Sequence, residues 1–265
     1  MTMRSILIGI LSAAALGGVV IRTVPNEPDG RLDPEIVSQT IRGQNLHFPP
    51  TTLLCLENTH NRCGGAVLTA EYTSAMARLA HERRLRVHLD GARIFNAAVA
   101  LGVPARELAE PVDTLGFCLS KGLSAPVGSL FCSTRECVER ARKWRKMLGG
   151  GMRQAGVLAA AGIVGLQTQV ERLAEDHANA QRLAQGLARI SGIAIRPERV
   201  QTNIVLFESL DAISGAEFVQ RLDARGVKVN HRGGRSMRAV THRMVTAADV
   251  DEALNRIELL VKELS

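Results

Sequence analysis

Two stretches decide how this chain reads: Val87-His-Leu-Asp-Gly-Ala-Arg-Ile94 and Leu119-Ser-Lys-Gly-Leu-Ser124. Each follows a short apolar run, residues 86–89 and 114–119, bounded by polar or glycine-rich sequence. Such runs predict strands. The first would deliver Asp90 at its carboxyl end, followed by Arg93, and the second would deliver Lys121. Working outward, residues 52–57 predict another strand, leading into the polar loop Asn58-Thr-His-Asn-Arg-Cys-Gly-Gly65. Residues 127–132 predict a further one. Helix-forming segments lie between and beyond them, at 34–44, 69–84 and 134–148. Strands alternating with helices predict an α/β domain with a mainly parallel sheet. Ligands of such sheets sit at the carboxyl ends of the strands, where Asp90 and Lys121 both fall.

After residue 154 the pattern changes. A long Ala- and Leu-rich helical region is expected from about 154 to 190. Strands are expected at 203–207, 227–230 and 237–241, and a helix at 214–225, with Gly226 suited to a left-handed cap. Thr246 with Asp249 three residues on forms a capping-box pattern ahead of a last helix. Its face carries Val250, Leu254, Ile257, Val261 and Leu264. This predicts a small α+β domain. The division is placed at residue 165, giving a large domain over 1–165 and a small one over 166–265.

The bulk numbers bound the function less tightly. The 265 residues allow a sizeable core, and with only 3% aromatics it must rest on Ala, Leu and Val. A net charge of +7 permits nucleic-acid binding but suits anionic small ligands equally well. Basic residues are dispersed, apart from Arg140 to Lys146, and no aromatic-rich basic strand suggests base stacking, so nucleic acid is not the expected partner. Five cysteines, an odd number with no Cys-x-x-Cys pair, predict neither disulfides nor a metal site, and fit a reducing, cytoplasmic compartment. Met1 to Ile21 has the look of a signal peptide, with Arg4 ahead of an apolar run, but is short for a membrane span. The competing expectation, adopted here, is a buried helix running into a strand at Gly18-Val-Val-Ile-Arg22.

Each marked residue has an ordinary reading beside a chemical one. Lys121, between Ser120 and Gly122, is either a surface lysine or the amine that condenses with the aldehyde of pyridoxal 5'-phosphate. Asp90 either caps a helix beginning at Gly91 or keeps a coenzyme pyridine nitrogen protonated. Arg93 is either an exposed helix residue or a planar fork for a carboxylate. His60 is either a hydrogen-bonding loop residue or a group that accepts a hydroxyl proton. Glu57 and Asn58 read as loop supports. Arg238 gains a role only if the small domain folds over the site.

Taken together, five ordered segments resemble the threonine aldolase family of fold type I pyridoxal-phosphate enzymes. They are Leu56-Glu-Asn-Thr-His-Asn61, His88-Leu-Asp-Gly-Ala-Arg-Ile-Phe-Asn96, Cys118-Leu-Ser-Lys-Gly-Leu123, Gly149-Gly-Gly-Met-Arg-Gln154 and Arg238-Ala-Val-Thr-His242. The resemblance implies that Lys121 binds the coenzyme and Asp90 pairs with its ring nitrogen. It implies that Arg93 and Arg238 hold the substrate carboxylate, with Arg93 also beside the coenzyme. His60 would lie near the substrate β-hydroxyl, and Arg153 would add a phosphate or interface contact. The implied reaction is cleavage of threonine or allo-threonine to glycine and acetaldehyde, a step in glycine biosynthesis, by a homotetramer with no membrane partner.

Members of this family carry a further N-terminal segment. It holds the loop that grips the coenzyme phosphate, a histidine that stacks on the ring, and a serine near the substrate carboxylate. Met1 to Gly18 matches none of these, and no histidine precedes His47. The expectation is therefore a chain shortened relative to the family, with the run before Val19 as the remnant of a buried segment. A catalytically impaired homologue that retains only fold or assembly is the alternative function.

Overall fold

The computed structural model describes residues 13–210 and 213–264. The part that carries the site is a four-stranded sheet. It comprises β1 (Leu53–Glu57), β2 (Arg86–Asp90), β3 (Thr114–Cys118) and β4 (Ser129–Cys132), in that spatial order. β1, β2 and β3 are parallel, and β4 returns antiparallel to β3. The register sets Glu57 beside Asp90 and Asp90 beside Gly116, so three strand ends share one edge of the sheet.

The alternation along each strand explains the layering. Leu54, Leu56, Val87, Leu89 and Phe117 point into one core, which they share with Val37, Leu68, Met76, Ala80, Ile94 and Leu108. Apart from Leu68, which lies just before α2, those partners come from four helices: α1 (Pro34–Thr40), α2 (Ala70–Glu82), α3 (Ile94–Leu101) and α4 (Ala105–Ala109). The helices begin where the sequence offers caps. Asp33 accepts from the amides of Glu35 and Ile36 with Pro34 in the first turn, and Thr69 accepts from that of Tyr72. The opposite face of the sheet stays open, with Leu53 at 47% and Phe131 at 40% exposure. Helix α5 (Arg135–Met147) buries none of its residues.

The long helical region is two helices rather than one, α6 (Gly156–Thr168) and α7 (Leu173–Leu187). Residues 169–172 contain neither Gly nor Pro, so no local breaker signals the gap. Tertiary packing makes it: Leu173, fully buried, has to meet the turn after β3. Ala161, Leu166 and Val170 still pack on the first core, whereas Ala180, Leu183 and Leu187 belong to a second.

That second core lies on an antiparallel sheet with order β5 (Ile193–Ala194), β6 (Ile204–Ser209), β8 (Ser236–Val240), β7 (Asn230–Gly233). Helices α8 (Gly215–Asp223) and α9 (Ala247–Leu264) complete it, with Phe207, Phe218, Leu222, Met237 and Leu260 at its centre. The strand expected at 227–230 begins only at Asn230. Gly226, at φ 76°, closes α8, and the Val227 amide is spent on Leu222 O in that closure. Its side chain reaches the core without joining a ladder. The capping box is present: Thr246 N and Oγ1 donate to Asp249, and Asp249 N donates back to Thr246 Oγ1.

The N-terminal expectation needs correction. Residues 13–17 are helical, but residues 18–22 form no strand, and Val19 and Val20 are 52% and 65% exposed. A strand needs a ladder partner, and among the described residues β1 pairs with β2 alone. Burial starts further on, where Val24 and Leu32 reach the first core. The rest of the signal-like run lies outside the described residues. Among the described residues no helix is long and apolar enough to cross a membrane.

Candidate active site

Lys121 is presented by a turn that buries its neighbours. Leu119, Leu123 and Ala125 are buried, while Ser120 and Lys121 are exposed. The turn is tied by Leu119 N to Gly128 O at 2.9 Å, Ser124 N to Lys121 O at 2.9 Å and Ala125 N to Leu119 O at 3.0 Å. Only glycine fits at position 122. A β-carbon there would lie 2.7 Å from Leu173 Cδ2 and 3.0 Å from Asn96 Oδ1. Asn96 in turn bonds His177 Nε2 at 3.0 Å. Burial drives the His177 pKa down to about 4, so its ring is neutral.

Asp90 ends β2 and is exposed. Its Oδ1 accepts from Ala92 N at 3.1 Å, so the capping role is real, but it occupies one oxygen only. Glu57, beside it in register, has its pKa raised by burial. The Asn61 amide opposes that shift, Asp90 adds to it, and Arg93 and Lys121 oppose it through their charge. Two carboxylates and two cations thus act on one another along this edge.

The loop after β1 crosses to the small domain. Gly65, at φ 73°, allows this, because a β-carbon there would sit 2.3 Å from Thr202 Oγ1. Thr202 Oγ1 donates to Gly65 O at 2.7 Å, and Val67 N donates to Gln201 Oε1 at 2.9 Å. The crossing brings Asn61 to Arg238 of β8. Arg238 Nη1 donates to Asn61 Oδ1 at 2.9 Å, and Arg93 Nη1 donates to the same oxygen at 3.3 Å. Burial lowers the Arg93 pKa, and the nearby Arg238 charge lowers it further. A cleft of about 430 Å³ opens between the Lys121 turn and the antiparallel sheet, lined by Arg93, Ser120, Lys121 and Ser124 on one side and by Asn203, His242 and Arg243 on the other. That volume lies within the usual range for small-molecule sites.

The structure therefore places Arg93 and Lys121 in the cleft and ties Asp90 and Arg238 to the same edge from outside its lining, Asp90 acting by charge with Arg93 and Lys121 on Glu57 and Arg238 sharing Asn61 Oδ1 with Arg93. It does not gather the other two residues. His60 does not line that cleft; it is 5% exposed and packed against Gly30. Its Nε2 lies 3.7 Å from Glu57 Oε2, its Nδ1 has no hydrogen-bond partner, and burial lowers its pKa. Arg153 sits exposed on the turn before α6, with no ion pair among the described residues. Glu57, expected only as a loop support, lies on the charged edge, and Asn61 and His242, given no role from the sequence, lie inside segments already marked.

A family model described as "Beta-eliminating lyase" matches residues 10–209. The chain is 39% identical over 246 residues to low-specificity L-threonine aldolase 1 of Arabidopsis thaliana, covering 91% of this chain and 69% of that protein. It is 42% identical over 240 residues to the low specificity L-threonine aldolase of Escherichia coli (strain K12), with the same two coverages of 91% and 69%. Among solved structures, the threonine aldolase of Leishmania major superposes with a TM-score of 0.79 at 19% identity, covering 97% of this chain and 75% of that one, a likeness of fold. With both the family model and these relatives spanning most of its length, the chain belongs to the beta-eliminating lyase family and, within it, is a carbon–carbon lyase of the threonine aldolase group.

Proposed function

We propose that this enzyme uses pyridoxal 5'-phosphate at the carboxyl edge of its large sheet to cleave threonine or allo-threonine to glycine and acetaldehyde. The observation that carries the reading is one strand edge where Asp90, Arg93 and Lys121 all act by charge on Glu57, with Arg238 sharing Asn61 Oδ1 with Arg93. The residues present fit the coenzyme's aldehyde and ring nitrogen. Lys121 is exposed and makes no ion pair among the described residues, Asp90 keeps one oxygen free of hydrogen bonds, and the cleft has room for a small cofactor. When bound, the coenzyme supplies an aldehyde for the amine and a sink for the electron pair of the Cα–Cβ bond.

The protein's own groups do the rest in this reading. Lys121 Nζ would hold the coenzyme through its aldehyde, and the Asp90 carboxylate would keep the coenzyme's ring nitrogen protonated by opposite charge. Arg93 and Arg238 grip the substrate carboxylate and fix which bond at Cα breaks. His60 stays out of the cleft in this reading: neutral through burial, with Nε2 3.7 Å from Glu57 Oε2, it supports Glu57 at the strand edge rather than taking the β-hydroxyl proton. Arg153 serves a phosphate or a subunit contact. Exposed Val127, Leu130, Phe131, Trp144, Met147 and Val157 support assembly of several copies, with a tetramer as the proposed state. Five unpaired thiols support a cytoplasmic location.

The test is to add the coenzyme to the purified chain, record the visible absorbance of the lysine-bound form, and measure acetaldehyde released from threonine. Coenzyme uptake with no acetaldehyde release would reject the aldolase assignment. A failure to take up coenzyme would favour a homologue kept for its fold or assembly.

A further inference from the structure

Arg93, which caps the helix after β2, and Arg238, in β8 of the other sheet, carry like charges, yet they share one acceptor. Asn61 Oδ1 receives Arg238 Nη1 at 2.9 Å and Arg93 Nη1 at 3.3 Å. Asn61 is itself fixed from behind, because its backbone N–H donates to Glu57 Oε1 at 3.1 Å. The glycine-permitted crossing of its loop onto β6 holds it against the small domain. Among the described residues the buried Arg238 Nε has no partner, so the guanidinium retains an unspent donor.

We propose that Asn61 is a positioning residue for carboxylate recognition, a neutral placeholder that gathers Arg93 and Arg238 and leaves their charge for the substrate. The chemistry explains the choice of residue. An amide oxygen bridges two guanidiniums without cancelling either charge. An aspartate in the same place would take two charge-assisted bonds, halve the net charge of the pair, and compete with the incoming carboxylate. Removal of the side chain would free the two cations to separate under their own repulsion. The ligand identity rests on the aldolase reading; the bridge itself does not.

The experiment compares Asn61→Asp, Asn61→Ala and the unaltered enzyme, each loaded with coenzyme. Threonine kinetics are measured first, and glycine binding is then measured by calorimetry. Asn61→Asp is expected to raise KM at least about tenfold, equivalent to ~1.4 kcal/mol of lost binding, with kcat nearly unchanged. Glycine should weaken in parallel, and Asn61→Ala should give a smaller rise. Unchanged KM and glycine affinity in Asn61→Asp would overturn the proposal. So would equal losses in both variants, which would mark Asn61 as a structural bridge alone. If the unaltered enzyme binds glycine but cleaves no threonine, the aldolase reading fails while the charge-placeholder comparison can still be read from the glycine titration.

Discussion

Gly122→Ala isolates the contribution that packing on Leu173 and Asn96 adds to the hydrogen bonds that tie the Lys121 turn. The added methyl would lie 2.7 Å from Leu173 Cδ2 and 3.0 Å from Asn96 Oδ1. Leu173 is fully buried and begins α7, so it cannot swing aside. Overpacking of this kind costs ~1–3 kcal/mol. Loss of unfolded-state freedom on replacing Gly returns ~0.4–1 kcal/mol, which leaves a net destabilisation of about 1–2 kcal/mol. For a chain of this size that lowers Tm by roughly 2–8 °C, measured by calorimetry. Because the strain falls on the turn that presents Lys121, coenzyme affinity should fall as well. The double variant with Leu173→Ala supplies the control. Removing the obstructing carbon should make the alanine nearly harmless, a coupling of at least ~0.5 kcal/mol in a double-mutant cycle. A Gly122→Ala protein as stable as the parent, or strictly additive effects in the cycle, would refute the packing argument.

Other outcomes follow from the same contacts. His177 is neutral when folded, with its pKa lowered to about 4, so the unfolded chain binds the extra proton below about 6.5. The stability it protects is complete above pH 6.5 and is lost as pH falls toward 4, by roughly 2–3 kcal/mol; His177→Gln should flatten that part of a denaturant-midpoint series. Asp113 gathers His81 Nε2 at 2.8 Å, Arg86 Nη1 at 2.6 Å and Val87 N at 2.8 Å. Burial raises its pKa, but these bonds outweigh burial and lower it to about 2, so its contribution is present above about pH 4 and lost below. Asp113→Asn should cost ~1–2 kcal/mol at pH 7, and equal midpoints would exclude the role. Asp90→Asn should leave the unfolding free energy within about 1 kcal/mol of the parent's, since an amide oxygen can still accept from Ala92 N, while kcat falls at least about a hundredfold. A large stability loss without a rate loss would reduce Asp90 to a cap.

Much of the large sheet was readable because its signals are local. Residues 53–57, 86–90 and 114–118 are short apolar runs with polar ends, and each ends where a ligand-facing residue is needed. Thr246 and Asp249 carry their cap within four residues. What stayed hidden depends on partners distant in the chain. The Asn61 bridge joins residues 32 and 177 positions away, and no spacing encodes it. The break before Leu173 is imposed by Gly122, and the burial of His60 by Gly30, both by close approach rather than by pattern. The exposed run at 18–22 is the converse case: its apolar pattern called for a neighbour that the described sheet does not provide.

The central claim is that Lys121, backed by Asp90, is where the coenzyme is held and the reaction run. The most direct measurement is the visible spectrum of the coenzyme-treated protein, reduced with borohydride and mapped by peptide mass, beside Lys121→Ala. The account predicts a visible band, coenzyme fixed to the peptide containing Lys121, threonine cleavage by the unaltered chain, and loss of all three in Lys121→Ala. Coenzyme fixed at another lysine, or cleavage that survives the substitution, would contradict it.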